Sequence, residues 1–564
     1  MHEGWVLLQN EGLMMLLKKT FDFLFNSDNR LFSYALNADY RKYLENDISI
    51  KRNVLPFPLT GAFSYQPKIS IIVPVYNVAG VWLQKCIESV LAQRYQNWEL
   101  CIYDDCSVNT STLEVLNNVI YKDSRIKIRF GTVNQHIAAA SNIAISMATG
   151  EYVGLLDNDD ELNPDALFEV IRALNTDNSL DYIYTDEDKI ESNGSHSFPY
   201  FKPSFNKILL YSNNYTCHFS VIRKSLGDSL GWFRKGYEGA QDYDLFLRIT
   251  EATTNIHHIP KVLYHYRRIK GSTAEHFGAK SYAGLSGKRA LESHFQSKSK
   301  DLTVESTDLP GIYTLSKVKT MPESITAAIH ILPANRISLV NVKKTIAHLS
   351  SLGIRCETFT SSKQIHEIKR IFPEVHSLCD IRLWPEYIEQ AAKLKSQYLL
   401  LIDSDIRMPF TESISQMLAY LQLDEVGAVC PKLIHDKLIY SSGIIKSTND
   451  YIHLYQGINK AHSGYFGQLQ CAQEIKLASL SFMILKSEIL TNIDCSLNMN
   501  NTYEASECIA RGIASTNTKL VLCAHASVET VCELDVPQTC RTIDINPNMY
   551  IRNNIPAIDL TCHE

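Results

Sequence analysis

Short apolar segments that end in acidic residues constrain the fold of this chain more than any other feature. The apolar run 152–156 leads directly into Asp157, Asp159 and Asp160. A run of this length is typical of a buried strand, and open α/β sheets bind ligands at the carboxyl ends of their strands. A following helix is indicated by Asn163-Pro-Asp165, residue types that favour a helix start. The turn is therefore either a carboxylate site for a divalent cation or a polar strand-to-helix cap.

The same alternation of strand and helix precedes this turn. Apolar, β-branched runs at 68–75, 98–103 and 126–130 predict three strands, each followed by a segment with helical spacing. Strands that alternate with helices predict an α/β fold with a doubly wound, mostly parallel sheet. Because parallel strands end at one edge of a sheet, we expect their polar end residues to share one crevice.

Composition limits what such a crevice binds. The 564 residues, 45% of them hydrophobic, are enough for more than one core. The 55 basic and 61 acidic residues are mixed along the chain, so no basic block indicates a nucleic-acid partner. The 14 cysteines include no C-x-x-C pair, and no apolar run reaches about 18 residues. We expect a cytoplasmic protein with reduced thiols and no membrane span.

Phosphate-binding glycine motifs are missing from the strand ends. Residues 74–77 are Pro-Val-Tyr-Asn where a dinucleotide fold has G-x-G-x-x-G, and no G-x-x-x-x-G-K-[ST] sequence occurs. A phosphorylated ligand would need a metal ion and side chains to neutralise it. Carboxylate oxygens suit hard ions such as Mg²⁺ and Mn²⁺, which favours the cation-site interpretation of the Asp157 turn.

Six short motifs occur in a fixed order along the first half. They are Pro-Val-Tyr-Asn (74–77), Asp-Asp-x-Ser (104–107), Asp-Asn-Asp-Asp (157–160), Asp-Glu-Asp-Lys (186–189), Gln-Asp-Tyr-Asp-Leu (241–245) and Leu-Tyr-His-Tyr-Arg (263–267). Each motif alone is weak, but the ordered set over about 66–285 resembles the inverting family 2 glycosyltransferases of the GT-A fold. The resemblance is strongest to bacterial enzymes of surface-polysaccharide assembly.

The resemblance implies a nucleotide pocket at the first two strand ends. Pro74, Tyr76 and Asn77 would shape the loop that receives the base. Asp105, with Asp104 beside it, would accept hydrogen bonds from the base or ribose. An Asx turn after the strand is compatible with the same pair. The donor implied is a nucleotide-diphosphate sugar, with uridine as the expected nucleoside.

The resemblance also implies a metal site. Asp157 and Asp159 would hold Mn²⁺ or Mg²⁺ against the diphosphate, with Asp159 as the direct ligand. His265 would be an added ligand, which favours Mn²⁺. Arg267 would pair with the phosphates, together with Arg268, when the loop 271–273 closes.

The catalytic residue implied is Asp242, the general base that removes a proton from the acceptor hydroxyl. Asp244 is expected to support the helix. Acceptor contacts are expected at Asn214, Tyr215 and Trp232. The acceptor implied is a glycan or a lipid-linked glycan, which would bring the protein to the inner membrane face. His136 departs from the family pattern, which has glycine there.

The second half repeats the first in weakened form. Pro-Ala-Asn at 333–335 and the run ending in Asp403-Ser-Asp405 echo the first-half motifs, which predicts a second GT-A-like domain at 326–530. Ser361-Ser362 stands where paired acids are expected, and Tyr503-Glu504-Ala505 stands opposite Gln241-Asp242. Glu504 or Glu507 could substitute for the base, and some bacterial proteins that look like this carry two active transferase domains. The loss of both features instead favours a catalytically silent domain that serves as a scaffold, an acceptor-binding module or an assembly module. A helical segment at 1–65, a linker at 286–325 and a tail at 531–564 complete the expected organisation.

Two other functions remain open at this point. One is a non-catalytic GT-A-fold scaffold or acceptor-binding protein of polysaccharide assembly. The other is a nucleotidyltransferase that makes activated sugars, although the glycine-rich activation loop of that class is not seen near the first strand.

Overall fold

A computed structural model describes most of the chain. The described residues are 40, 63–120, 122–269, 281–296, 302–317, 324–331, 336–379, 383–407, 411–446, 451–495, 499 and 501–531. The predicted helical segment 1–65 and the tail 531–564 lie outside these ranges, apart from residues 40, 63–65 and 531.

The first unit is built on one sheet of nine strands. They are β1 (Ile69–Val75), β2 (Trp98–Asp104), β3 (Ile126–Phe130), β4 (Tyr152–Leu155), β5 (Glu161–Leu162), β6 (Tyr182–Ile190), β7 (His196–Tyr200), β8 (Ser220–Arg223) and β9 (Ile256–Arg267). Their spatial order is β3-β2-β1-β4-β8-β6-β9-β5, and β7 pairs with β6. Strands β1 and β2 are buried along almost their whole length because helices cover both faces.

The helices of this unit follow the predicted alternation. They are α1 (Gly80–Leu91), α2 (Thr110–Val119), α3 (His136–Ser146), α4 (Ala166–Thr176), α5 (Lys207–Ser212), α6 (Lys224–Leu230) and α7 (Gln241–Ala252). Strands β3, β2, β1 and β4 run parallel, as do β6 and β9. Strand β8 runs antiparallel between β4 and β6, so the sheet is mixed at its centre.

The predicted linker is folded. It contains most of α8 (Ser281–Gln296) and a hairpin of β10 (Leu302–Ser306) and β11 (Tyr313–Lys317). Leu291 and Phe295, four residues apart on α8, are buried in the core. The many serines and lysines of this stretch hide that apolar helical spacing.

The second unit is built on a second sheet. Its strands are β12 (Ile325–Ile331), β13 (Arg355–Ser361), β14 (His376–Leu378), β15 (Tyr398–Asp403), β16 (Val426–His435), β17 (Leu438–Ser441), β20 (Ala472–Ile475), β21 (Phe482–Lys486) and β22 (Lys519–Glu529). A separate hairpin is formed by β18 (Ile444–Lys446) and β19 (Tyr451–His453). The helices are α9 (Arg336–Ser351), α10 (Ile365–Lys369), α11 (Leu383–Ala392), α12 (Thr411–Tyr420), α13 (Ser487–Thr491) and α14 (Thr502–Ser515).

The two sheets share the order of their first seven strands. The order of the second is β14-β13-β12-β15-β21-β16-β22-β20, with β17 on β16, and it repeats the first strand for strand up to the last position. Tandem α/β units of the predicted kind are therefore confirmed. One hydrophobic cluster, which includes Tyr184, Tyr243, Tyr420 and Val429, runs from the first sheet into the second. Among the described residues, no helix combines the length and apolar character needed to cross a bilayer.

Candidate active site

The carboxyl end of β2 places two buried carboxylates, Asp104 and Asp105, side by side. Both oxygens of Asp105 accept from the Gln135 N–H, at 2.9 and 3.0 Å, so this carboxylate closes the turn before α3. Asp104 Oδ2 accepts from the Ser107 N–H at 3.1 Å. Its other oxygen is buried and has no hydrogen-bond donor within the described residues. Since a buried acceptor without a donor is costly, Asp104 is the better placed of the two to accept from a ligand.

The loop after β1 offers one open side chain. Tyr76 is 51% exposed at the rim of the crevice. Asn77 has a left-handed backbone, and its side-chain oxygen accepts from the Val108 N–H at 2.8 Å. The Pro74 carbonyl accepts from Asn158 Nδ2 at 2.7 Å, which ties this loop to the aspartate turn. Pro74 and Asn77 thus shape the loop, and Tyr76 is free to contact a ligand ring.

The aspartate turn, residues 157–160, follows β4 and is stabilised by hydrogen bonds to buried residues of β9. Asp160 is fully buried; it accepts from the Tyr264 hydroxyl at 2.6 Å and from the Arg267 N–H at 2.8 Å. The Arg267 guanidinium donates to the Asp159 carbonyl at 2.9 Å and pairs with Glu161. Arg267 is 3% exposed, so in this structure it supports the turn from the protein interior. Asp157 and Asp159 are only half-buried at the crevice.

The turn concentrates negative charge in a way that suits a cation. Burial raises the pKa of Asp160 well above its ordinary value, and the charges of Asp159 and Asp157 raise it further. The same three carboxylates add to the effect of burial in raising the pKa of the Cys86 thiol. A divalent ion bound at Asp157 and Asp159 would offset this repulsion, so the residues present fit Mg²⁺ or Mn²⁺.

Asp242 lies across the crevice, in the first turn of α7. Asn214 Nδ2 donates to Asp242 Oδ2 at 2.9 Å. Burial raises the pKa of Asp242 above its ordinary value, and the charge of Asp157 adds to this, while His218 and Asn214 oppose it. The His218 ring stacks on Tyr264, whose hydroxyl accepts from the Asp157 N–H at 3.2 Å. Asn214, which holds Asp242, lies four residues before His218. These contacts bring Asp242, His218 and Asp157 to one crevice. A carboxylate with a raised pKa is better matched to accepting a proton near neutral pH.

His218 is a site residue that the sequence analysis did not single out. It precedes β8, and its ring stacks on Tyr264 with centroids 4.7 Å apart. Tyr266 approaches the same ring at 5.5 Å. The imidazole interacts electrostatically with both Asp157 and Asp242. The only signal in the sequence was that His218 ends the polar run 213–218 before a short strand. That run has no helical or strand periodicity, so it does not predict where the His218 side chain lies.

His265 lies with different partners from those predicted. Its Nδ1 is 2.6 Å from Asp188 Oδ1, and His196 Nδ1 is 2.8 Å from Asp188 Oδ2. Burial alone would raise the pKa of Asp188, but the two histidines hold it at about 2. Within the described residues, these three side chains form the group that could chelate a metal, and it does not include Asp157 or Asp159. Because side chains alternate along a strand, His265 points to the opposite face of β9 from Tyr264.

Several supporting residues occupy defined positions. Asp244 is buried between Arg234 and Arg248, as expected for a helix-supporting residue. His136 has φ of 65°, the left-handed conformation that favours the glycine common in the family. Arg268 pairs with Glu191, and the loop 271–273 lies outside the described residues.

Two expected acceptor contacts are wrong. Tyr215 is fully buried, and its hydroxyl donates to the Asn206 carbonyl at 3.3 Å. Trp232 is 6% exposed, and its indole N–H donates to Asp228 at 2.8 Å. Their aromatic rings fill the core, so neither is available to an acceptor. Asn214, bonded to Asp242, is the one of the three that lines the crevice.

The second unit lacks this set of groups. Tyr398 pairs with Lys486 as Tyr152 pairs with Arg223, so the two registers can be aligned residue by residue. In this alignment the equivalents of Asp157, Asp159 and His218 are Asp403, Asp405 and Ser481. The pair Asp188–His265 becomes Ile434–Glu529. Counted from the helix start, Tyr503 of α14 stands at the place of Asp242 of α7, and the carboxylate of Glu504 follows it in the same turn.

Comparison with known families agrees with the crevice of the first unit. Residues 70–230 match the profile described as "Glycosyl transferase family 2". The first unit is a family 2 glycosyltransferase domain. The resemblance drawn from the order of the six motifs is thereby confirmed.

Relatives of this glycosyltransferase domain and of the second unit occur in bacteria. The chain is 35% identical over 448 residues to an uncharacterized Sinorhizobium fredii protein, y4gI, covering 75% of this chain and 48% of that protein. It is 28% identical to the O-antigen biosynthesis protein RfbC of Myxococcus xanthus, covering 68% and 31%. It is 34% identical to a chondroitin synthase of Pasteurella multocida, covering 35% and 20%. The chain thus spans less than half the length of each of these relatives.

Proposed function

We propose that the first unit transfers a sugar from a nucleotide-diphosphate donor, a UDP-sugar, to a glycan or lipid-linked glycan acceptor, with inversion at the anomeric carbon. The observation that carries this proposal is the meeting of Asp242, His218 and the Asp157 turn in one crevice of a family 2 domain. The relatives named for O-antigen biosynthesis and chondroitin synthesis support a glycan as the acceptor class.

Donor binding is assigned to the edge formed by β1, β2 and the aspartate turn. Tyr76 would stack on the base, and the free oxygen of Asp104 would accept a hydrogen bond from the base or ribose. Pro74, Asn77 and Asp105 would hold the loops that shape this pocket. A divalent ion at Asp157 and Asp159 supplies charge neutralisation for the leaving diphosphate. Neutralisation of this kind is needed because the domain has no glycine-rich phosphate cradle.

Catalysis is assigned to Asp242. Its carboxylate would take the proton from the acceptor hydroxyl while that oxygen attacks the anomeric carbon. Asn214 holds the carboxylate in place, and the helix start supplies backbone N–H groups around it. No enzyme nucleophile intervenes in this scheme, so the displacement inverts the anomeric configuration.

The role of His265 follows from its contacts. Asp188 fixes the imidazole through Nδ1 and leaves Nε2 as the nitrogen able to bind a metal or a phosphate oxygen. His265 is a proposed metal ligand only for a ligand-bound arrangement that brings its ring to the aspartate turn. Arg267 already contacts that turn and is a proposed phosphate partner only for an arrangement that exposes its buried guanidinium.

The second unit has a different proposed role. Ser481 stands where an imidazole is needed, and Glu504, an acid in the first turn of α14, accepts from Asn501 at the helix start at 3.1 Å. This favours a catalytically silent module that supports the first unit or binds the acceptor. A lipid-linked acceptor would hold the chain at the inner face of the membrane. Co-sedimentation with vesicles that carry a polyprenyl-linked glycan, compared with bare vesicles, tests this.

One experiment tests the catalytic proposal. The protein is incubated with a panel of nucleotide sugars and Mn²⁺ or Mg²⁺, and release of nucleoside diphosphate is measured against the Asp242→Asn variant. We expect metal-dependent release from one uridine donor, and an inverted linkage by NMR once an acceptor is found. Failure to bind UDP with either ion, together with no release from any donor, would leave the scaffold function as the better account.

A further inference from the structure

The second unit holds a particular segment of the first, which we call the bridging segment, residues 199–206. The Tyr465 hydroxyl donates to the Pro199 carbonyl at 2.7 Å and accepts from the Phe201 N–H at 3.0 Å. The ring of Phe466 stacks on that of Tyr200, with centroids 3.9 Å apart and planes 10° apart. Two adjacent residues of the second unit therefore clamp three consecutive residues of the first.

The other end of the bridging segment is held as firmly. Asn206 Nδ2 donates to the Glu474 carbonyl at 3.3 Å, and Asn206 Oδ1 accepts from the Glu474 N–H at 3.2 Å. A little further on, Ser212 Oγ accepts from the Ala472 N–H at 3.0 Å. These contacts are all made by β20, the strand whose place in the second sheet does not follow the first.

Between the two clamps lies Lys202, a lysine with no exposed surface. Its backbone N–H donates to Asp186 at 2.8 Å. Its ammonium group pairs with Glu187 at 2.8 Å and also donates to the carbonyl of His218. A buried ammonium needs all its donors satisfied, so the position of Lys202 and that of the His218 backbone are linked.

The linkage reaches the crevice because the His218 ring stacks on Tyr264, whose hydroxyl accepts from the Asp157 N–H at 3.2 Å. A continuous series of contacts thus runs from Tyr465 to the bridging segment, from Lys202 to His218, and from His218 through Tyr264 to the aspartate turn. The bonds made by Tyr465 and by Lys202 are directional hydrogen bonds to backbone groups, which fix positions more sharply than apolar packing does.

We propose that the second unit positions the active site of the first, with Tyr465 as the positioning residue that holds Lys202 and, through it, His218. This inference rests on the proposed glycosyltransferase function for its kinetic readout. The second unit would then have a specific role in positioning the active site. That role would depend on the two hydrogen bonds of the Tyr465 hydroxyl, about 250 positions from the crevice in sequence.

The test variant is Tyr465→Phe, which keeps the ring and removes both bonds of the hydroxyl. We expect faster amide hydrogen exchange over 199–206 and a fall in kcat of about tenfold, because the proposed base and His218 are misplaced. The donor KM should change by less than about twofold, since Tyr76 and Asp104 lie at the other edge of the crevice. A general loss of folding would instead alter the melting temperature and both kinetic constants.

The matched control is Tyr387→Phe. Tyr387 is also buried in the second unit, but its hydroxyl donates to the Ala328 carbonyl of the same unit, at 2.8 Å. This variant should leave exchange over 199–206 and kcat unchanged. A Lys202→Met variant and the double variant complete a cycle, in which the effects of Tyr465→Phe and Lys202→Met on kcat should not add.

The outcomes separate the inference from the function on which it rests. A wild-type protein that turns over no donor overturns the proposed function, and exchange over 199–206 then decides whether Tyr465 holds the bridging segment. An active wild type with unchanged exchange or unchanged kcat in Tyr465→Phe overturns the positioning role. Equal effects of Tyr465→Phe and Tyr387→Phe would also overturn it.

Discussion

The two units share a strand order but differ in the residues at the carboxyl edge of the sheet. The paired positions, first unit before second, are Asp104 and Thr360, Asp157 and Asp403, Asp159 and Asp405, His218 and Ser481, Asp188 and Ile434, His265 and Glu529, and Asp242 and Tyr503. Only the two aspartates of the Asp-x-Asp turn are kept. The buried strands that hold these positions are equally apolar in both units.

This contrast separates what the fold requires from what the chemistry requires. Burial of apolar strands and helices stabilises each sheet whatever stands at its carboxyl edge. In the second unit Asp403 lies near the buried ring of His330, with a nitrogen-to-oxygen distance of 3.5 Å, and His330 packs against Trp384 and Tyr387. His330 stands in β12 at the register position of Pro74 in β1, so a buried ring with aromatic neighbours replaces the proline there.

The largest expected effect is at the base position. Asp242→Asn should lower kcat by about a thousandfold, because the amide cannot take the acceptor proton. The affinity for UDP, measured by calorimetry, should be unchanged. The same measurement on Tyr503→Phe in the second unit should show no loss of turnover. Substantial activity in Asp242→Asn would remove this residue from the base role and weaken the contrast.

The Asp-x-Asp turns give the second test. Asp159→Asn should weaken Mn²⁺-dependent UDP binding by at least about tenfold, since the proposed direct ligand is lost. The matched change Asp405→Asn should leave UDP affinity and product linkage as in the wild type. If the Asp405→Asn protein made a product that lacks one of two glycosidic linkages present in the wild-type product, the second unit would be an active transferase.

Exchanging the residues at the equivalent positions His218 and Ser481 gives a third test of the comparison. His218→Ser introduces the residue of the second unit and should lower kcat by about tenfold, through loss of an imidazole beside Asp242. Ser481→His makes the opposite change and should have no effect on kcat. A matching loss in both variants would indicate a structural effect rather than a catalytic one.

The smallest expected effect is on pH dependence. As a base, Asp242 works when deprotonated, and its pKa is raised, so the rate should fall as the pH drops through that raised value. Asn214→Ala removes a hydrogen bond that lowers this pKa, so the acid limb of kcat/KM should move to higher pH, by about one unit or less. Tyr503→Phe serves as the control and should not move the limb.

Much of the fold and part of the candidate site could be predicted from the sequence. Apolar runs that end in polar or acidic residues located β1, β2 and β4, because burial and strand ends are both local signals. Asp104, Asp157 and Asp242 could be proposed because they lie in recognisable motifs. The antiparallel insertion of β8 could not be predicted, since strand pairing depends on contacts between distant segments.

The site residues that could not be predicted from the sequence were missed for one common reason. His218, Lys202 and the Asp188 pairing with two histidines depend on side chains brought together from separate strands and loops. The sequence showed His265 as one histidine in a motif, and only the sheet register revealed that Asp188 lies directly beside it. Tyr465 is further removed still, because its partners belong to the other unit.

The hydrophobic cluster that runs through both sheets has a consequence for how the molecule unfolds. Because Tyr184 and Tyr243 pack in the same core as Tyr420 and Val429, neither sheet can open without exposing apolar surface of the other. The two units should therefore melt in a single calorimetric transition, despite their repeated topology. A fragment cut near residue 285 would carry a large uncovered apolar face, and low solubility is its expected behaviour.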